Sequence, residues 1–280
     1  MVEILRYAAF TADPRGGNPA GVVLDAHGLE AEEMLAIAAD VGFSETAFLV
    51  RDPADPAHFD VRYFAPAQEV PFCGHATIAA AVALAEREGP ARLLLRCPAG
   101  EVAVSTSAGP DGLTAELTSV PPRVEDAEPA LLAAALSALR WPAEDLDPAY
   151  PPAVADAGAR HLVLVTRTRD RLARLDYDMP VLTEVMRSAD LTTLQLVWPE
   201  GDGRWSSRNP FPVGGVVEDP ATGAAAAALG GYLRHYGFVV PPARLTVHQG
   251  NDLGRPSVLK VHVDADRPGV RVSGTAVPMP

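Results

Sequence analysis

The chain predicts an α+β protein of two similar halves, each holding an apolar helix among strands. Three observations point there. Short strand-like runs separated by turn clusters recur along the whole chain. Two Ala-rich segments, Gly74 to Arg87 and Gly223 to Tyr236, are apolar nearly all round, which suits helices buried inside a cup of sheet. Each follows a similar lead-in: Arg62-Tyr63-Phe64-Ala65-Pro66 before Cys73-Gly74-His75-Ala76, and Arg208-Asn209-Pro210-Phe211-Pro212 before Thr222-Gly223-Ala224-Ala225.

In chain order, Glu3 to Phe10 reads as a strand, Thr11 to Pro19 as a turn cluster and Ala20 to Leu24 as a second strand. Leu29, Met34, Leu35, Ile37, Ala38 and Val41 fall at helical spacing. Thr46 to Val50 and Phe59 to Phe64 are strands, and after the first apolar helix come Leu93 to Arg96, Glu101 to Ser105 and Leu113 to Leu117. The adjacent prolines Pro121 and Pro122 cannot pair inside a sheet, which sets the boundary there. Residues 1–119 form the first half and 120–280 the second, with the last residues free to pack back on the first. Beyond the boundary, Ala130 to Leu139 and Met179 to Ala189 are helical, and His161 to Thr166 and Thr193 to Trp198 are strands. After the second apolar helix, Arg244 to His248, Val258 to Val263 and Val270 to Val277 are closing strands.

Composition narrows the function classes. Twenty-three basic against 36 acidic residues give a net charge of −13, which repels nucleic-acid phosphates and anionic lipid, so neither is an expected partner. At 48% hydrophobic the chain is not a disordered one. The two cysteines, Cys73 and Cys97, cannot build a disulfide framework. The start lacks a basic stretch followed by an apolar one and a cleavage site, and the longest apolar runs fall short of the roughly 20 residues a bilayer needs. A cytoplasmic location is expected.

The chemistry lies at the starts of the two apolar helices. A helix N-terminus leaves backbone N–H groups unpaired and carries partial positive charge. A glycine there, Gly74 or Gly223, lets a ligand approach the backbone closely. Two such starts facing one cleft suit a carboxylate or a developing enolate with no basic side chain. Plainer readings stand beside this one. Both glycines can simply permit tight turns, Asp219 before Pro220 can be a helix N-cap, and Gly17-Asn18-Pro19 can be only a turn. Glu45 can be an exposed strand-start carboxylate, and His75 can bond to its own turn. The remaining histidines show no metal-ligand spacing, and no metal is expected. There is no dinucleotide fingerprint, phosphate loop or nucleophile elbow.

Five motifs occur in one order: Gly17-Asn18-Pro19-Ala20, Ser44-Glu45-Thr46-Ala47-Phe48, Cys73-Gly74-His75-Ala76-Thr77, Glu218-Asp219-Pro220-Ala221-Thr222-Gly223 and Gly250 to Pro256. Together, over essentially the entire chain, they resemble the phenazine-biosynthesis PhzF-like isomerase/epimerase family. The resemblance implies a diaminopimelate-epimerase-like fold: two pseudo-symmetric halves, each a mostly antiparallel sheet around a central helix, with the active site between them. It implies a homodimer without a cofactor, acting on a small carboxylate such as a trans-2,3-dihydro-3-hydroxyanthranilate-like ring. By the same resemblance Glu45 is the general acid/base, while His75 and Asp219 line the pocket and help hold or protonate substrate. Gly74 and Gly223 grip the carboxylate, with Asn18, Cys73, Thr222 and Ala224 as further substrate contacts. Two departures leave the substrate open: Ala224 stands where the family often has Ser, and Arg208-Asn-Pro-Phe-Pro212 replaces Arg-x-Phe-Ala-Pro.

Two other readings compete. The thiol racemases of this fold need a cysteine at each helix start, but here Thr222 fills the second place and Cys97 is remote in sequence. Cys73 then reads as a small packed residue. A catalytically silent binding protein is the other alternative, against which the joint presence of Glu45, His75 and Asp219 argues.

Overall fold

The computed structural model describes residues 2–110 and 112–280 and has a mixed α+β architecture that divides into two compact units. The first comprises Met1–Thr118 with Ser273–Pro280, and the second Ser119–Val272. The first contains β1 (Leu5–Ala9), β2 (Asn18–Val23), α1 (Ala31–Val41), β3 (Glu45–Arg51), β4 (His58–Ala65) and β5 (Gln68–Val70). It continues with α2 (Gly74–Glu88), β6 (Arg92–Cys97), β7 (Gly100–Gly109) and β8 (Gly112–Thr118). The second contains β9 (Arg123–Asp126), α3 (Pro129–Leu139), β10 (Ala153–Asp156), β11 (Arg160–Val165), α4 (Arg169–Ala173), α5 (Met179–Ser188) and β12 (Thr193–Gly201). It continues with β13 (Arg204–Pro210), β14 (Glu218–Asp219), α6 (Gly223–His235), β15 (Ala243–Gln249) and β16 (Ser257–Val263). Strand β17 (Val270–Pro278) begins in the second unit and ends in the first.

In the first unit, β2 and β3 run parallel with Ala20 opposite Glu45, the crossover being made by α1. β3 pairs antiparallel with β4, and β4 antiparallel with β5 and parallel with β6 across α2. Hairpins join β6 to β7 and β7 to β8. Helix α2 packs against β1, β2, β3, β7 and β8 and is buried continuously from His75 to Ala85. Alanine is the best helix former, and its short side chain lets strands approach from every side. Each fully buried Ile or Val, such as Ile78 and Val82, adds roughly 1.5–3 kcal/mol. Helix α1 covers a second cluster in which Phe48 and Phe64 meet edge to face at 5.6 Å.

In the second unit, β9, β10 and β11 pair antiparallel in that order. β11 and β12 run parallel with His161 opposite Thr193, and β12 pairs antiparallel with β13. β13 pairs antiparallel with β14 and parallel with β15 across α6, and β15 pairs antiparallel with β16. Helix α6 owes its tight seating to two glycines. A Cβ on Gly230 would lie 3.0 Å from Val261 and from Val270, and one on Gly231 only 2.3 Å from Pro122. Each mid-helix glycine costs about 1 kcal/mol relative to alanine, a cost the close packing offsets. Helices α3 and α5 cover a separate cluster that includes Leu139, Leu182, Met186, Leu194 and Leu196.

Most of the long elements lie where the sequence places them, with ends moved by one to four residues. Six others depart from the expectation. The boundary segment is not free of sheet, because β9 begins one residue after Pro122 and pairs with β10. β5, β10, α4, β13 and β14 were not expected either, β13 being disguised by its polar Ser206-Ser207-Arg208-Asn209 run. Among the described residues, no helix is long and apolar enough to cross a membrane.

Candidate active site

In the first unit, the start of β3 and the start of α2 converge. Glu45 opens β3, and strand alternation turns the next side chain, Thr46, fully inward beneath Gly21, where a Cβ would lie 2.4 Å from the threonine hydroxyl. Cys73 is the N-cap of α2 in an extended conformation, and Gly74 and His75 are its first two helical residues. Nε2 of His75 lies 3.4 Å from Oε2 of Glu45 and 3.4 Å from Oγ of Ser44. The Cys73 sulfur is 3.4 Å from Nδ1 of His75. The side chains of His75 and Glu45 are only 8% and 15% exposed, so the pair sits in weakened dielectric while an edge of the carboxylate stays accessible.

A buried relay fixes this corner. Thr77 donates from its hydroxyl to the Cys73 carbonyl at 2.7 Å, and the Tyr63 hydroxyl donates to Thr77 at 2.6 Å. Burial pushes the Tyr63 pKa up, which keeps the phenol a neutral donor. The Cys73 carbonyl also accepts from the Thr77 backbone at 3.0 Å, leaving the N–H groups of Gly74, His75 and Ala76 as the helix's free first turn. Gly74 is informative here. Its φ is not left-handed, and a Cβ on it would meet only Phe72, at an ordinary 3.9 Å. Neither backbone conformation nor packing against the protein demands glycine at this point.

In the second unit, the start of α6 is held by side chains. Thr222 is the N-cap, so Asp219 is not, which corrects the capping reading. Pro220 and Ala221 separate the two, and Asp219 instead lies in β14 opposite Asn209 and accepts from the Thr222 hydroxyl at 2.5 Å. Gln249 completes the arrangement. Its Oε1 accepts from the Thr222 backbone at 3.1 Å, and its Nε2 donates to the Asp219 carbonyl at 2.7 Å and the Thr222 hydroxyl at 3.0 Å. Gly223 and Ala224 are the first two helical residues. Next to this start, Arg208 and Glu218 form a buried ion pair, Nη2 to Oε2 at 2.5 Å, and Arg208 also donates to the Ala173 carbonyl at 2.7 Å.

Of the expected site residues, the fold brings Glu45, Cys73 and His75 together in one unit and Asp219, Thr222, Gly223 and Ala224 together in the other. Asn18 opens β2, buried and opposite Ala9. Gly17 before it is left-handed at φ 66, with Ala9 O 2.4 Å from where a Cβ would sit, so the turn itself requires that glycine. Sequence reading missed Ser44 and Gln249 as members of the two clusters. Ser44 opens one of the recognised motifs and Gln249 directly precedes another, and that position along the chain is the only signal the sequence carries. It also expected no metal ligands from the spacing of histidines, whereas Glu45, Cys73 and His75 place a carboxylate, a thiol and an imidazole within 4.8 Å of one another. Spacing along the chain could not register a set that joins Cys73, at the start of a helix, to Glu45, at the start of a strand 28 residues earlier.

The chain is an α+β protein with a shielded carboxylate–imidazole pair at the start of α2. Residues 7–280 match the family model described as phenazine biosynthesis-like protein, and the chain belongs to that family of isomerases. It is 31% identical to the "uncharacterized isomerase YfhB" of Bacillus subtilis, the match covering 98% of this chain and 96% of that one. It is also 31% identical to the trans-2,3-dihydro-3-hydroxyanthranilate isomerase of Pseudomonas aeruginosa, over 96% and 92% of the two chains. The Bacillus anthracis phenazine biosynthesis protein of the PhzF family superposes with a TM-score of 0.89 at 27% identity, covering 100% of this chain and 97% of that one.

Proposed function

We propose that the protein moves a proton between two carbons of a small carboxylate, with Glu45 as the single acid/base group and no cofactor. The observation that carries this reading is the Glu45–His75 contact of 3.4 Å, largely screened from water, beside the free first turn of α2. The Glu45 carboxylate takes a proton from substrate carbon, and the electron pair left behind spreads into the substrate's conjugated system. The protonated Glu45 then returns the proton at the second carbon. N–H groups of Gly74, His75 and Ala76 hold the substrate carboxylate and favour the intermediate anion. The absence of any steric need for glycine at position 74 supports close approach of a ligand there.

His75 positions the base. In the tautomer with the proton on Nε2 it faces Glu45 and leaves Nδ1 to accept from the Cys73 thiol. Asp219 and Gln249 hold the start of α6, whose first turn begins with Gly223 and Ala224, further substrate-binding residues in this reading. The homodimer implied by the resemblance belongs to the same proposal.

We further infer that the two units are repeats. The pairing order of β2 through β7 (parallel, antiparallel, antiparallel, then parallel across a buried helix, then antiparallel) recurs in β11 through β16. Under that correspondence Glu45 of β3 matches Thr193 of β12, each opening its strand opposite a parallel neighbour, and Cys73 matches Thr222. Threonine at both second positions supports one-base transfer over two-thiol racemisation.

The substrate class is tested by following carbon-bound deuterium in heavy water. The panel is trans-2,3-dihydro-3-hydroxyanthranilate and other small cyclic carboxylates, with chelator-treated protein. Incorporation or isomerised product with at least one is expected. Binding without incorporation into any of them would favour the silent-scaffold alternative.

A further inference from the structure

We propose that Glu45, Cys73 and His75 bind a thiophilic divalent cation, zinc above all, and that its occupancy switches proton transfer off. The three side chains offer a carboxylate oxygen, a sulfur and an imidazole nitrogen, the donor types zinc takes in three-ligand sites with an open fourth position. Their spacing fits. With Zn–N and Zn–O bonds of about 2.0–2.1 Å and Zn–S of about 2.3 Å, tetrahedral geometry sets N and O about 3.3 Å apart and S about 3.6 Å from either. Here Nε2 of His75 lies 3.4 Å from Oε2 of Glu45 and 3.8 Å from the Cys73 sulfur. These two distances are already close to length, but the sulfur's 3.4 Å contact to Nδ1 places it beside the ring, so ligation through Nε2 also needs a turn of the Cys73 or His75 side chain. The third, sulfur to carboxylate, is within 4.8 Å, and rotation of the Glu45 side chain closes it.

The supports are equally suited. Cys73 is held at the N-cap by its own backbone bonds to Thr77, and His75 by the first turn of α2. A helix N-terminus disfavours a cation, but the charges of the Glu45 carboxylate and the Cys73 thiolate together cancel the two positive charges of zinc. The thiol proton leaves to solvent as the Zn–S bond forms, and the imidazole proton moves from Nε2 to Nδ1 so that the Nε2 lone pair faces the metal. The hydroxyl of Ser44, 3.4 Å from Nε2 of His75, borders the remaining coordination position. Once ligated, the Glu45 carboxylate no longer accepts a proton from carbon. That inhibitory consequence rests on the role proposed for Glu45; the binding does not.

Cobalt(II) added to chelator-stripped protein tests the site directly, because a thiolate ligand gives an intense sulfur-to-cobalt charge-transfer absorption. One equivalent should produce that band and one equivalent of zinc should abolish it. Cys73→Ser should remove the band and weaken zinc binding by more than the roughly 10- to 100-fold that loss of a supporting partner costs. His75→Gln is the second variant, with the same expected loss should Cys73→Ser not fold. No band in the wild type, or a band that survives in the variant and so belongs to Cys97, overturns the site. Zinc should also inhibit isomerisation in the wild type, at concentrations that rise by a similar factor in the variant measured against its own zinc-free rate. A cobalt band without inhibition by zinc overturns the switch and the proposed role of Glu45, while the metal site stands.

Discussion

Oε2 of Glu45 and Nε2 of His75 stand 3.4 Å apart, joining the first residue of a strand to the second residue of a helix. The contact depends on two unrelated local facts: β3 starts at Glu45, paired to Ala20 of β2, and Cys73 caps α2 so that His75 lies in its first turn. A shift of β3 by one residue would present Thr46 instead and turn the carboxylate to the opposite face.

The network at the start of α6 separates activity from stability. Asp219→Asn retains an acceptor for the Thr222 hydroxyl, so it should leave the thermal midpoint within a few degrees while lowering turnover. Thr222→Val removes the hydroxyl that bonds Asp219 and Gln249 and should cost about 1–2 kcal/mol by chemical denaturation. An unchanged rate in Asp219→Asn would assign Asp219 to structure alone.

Helix propensity and packing make opposite predictions at Gly231. Propensity alone favours Gly231→Ala by about 1 kcal/mol. The Pro122 ring lies 2.3 Å from the added Cβ, and overpacking of that kind costs about 1–3 kcal/mol. We expect net destabilisation, read from urea midpoints. A more stable variant would mean that the Pro122 segment yields without cost.

Arg208 and Glu218 form a buried pair whose partners satisfy each other. Glu218→Gln should destabilise by about 3–5 kcal/mol because it strands a buried guanidinium, whereas Arg208→Met with Glu218→Leu should recover most of that loss. A double variant as unstable as the single one would show that the bond from Arg208 to the Ala173 carbonyl dominates.

His161 is fully buried, bonded through Nδ1 to the Thr193 hydroxyl at 2.8 Å, and desolvation pushes its pKa down to about 4. The unfolded chain, with an ordinary histidine pKa of about 6.5, binds this proton more readily than the folded one. The neutral imidazole therefore confers its full benefit above pH 6.5, and that benefit is lost as pH falls from there to about 4. The loss reaches about 3 kcal/mol. His161→Gln should flatten the stability slope in this window, and an unaltered slope would refute the assignment.

Much of the fold was legible because apolar periodicity and glycine-bounded alanine runs survive without tertiary context. The two buried helices α2 and α6 announced themselves in this way. Strands β9, β10 and β13 did not, because their pairing partners rather than their own residues make them strands; β13 buries Ser206, Ser207, Arg208 and Asn209 behind side-chain bonds. At the site, the motifs named Glu45, Cys73, His75, Asp219 and Thr222. Gln249 stayed hidden because its hydrogen bonds to Asp219 and Thr222 depend on β15 pairing beside β13.

In the proposed mechanism one carboxylate carries the proton. General acid–base catalysis contributes about 10²- to 10⁴-fold, so Glu45→Gln, nearly identical in shape and unable to accept the proton, should lose at least that much turnover. Comparing that variant with the wild type for deuterium delivered to substrate carbon, after matched circular dichroism and thermal midpoints show an intact fold, is the most direct measurement. A folded variant that exchanges carbon-bound hydrogen at the wild-type rate would contradict the account.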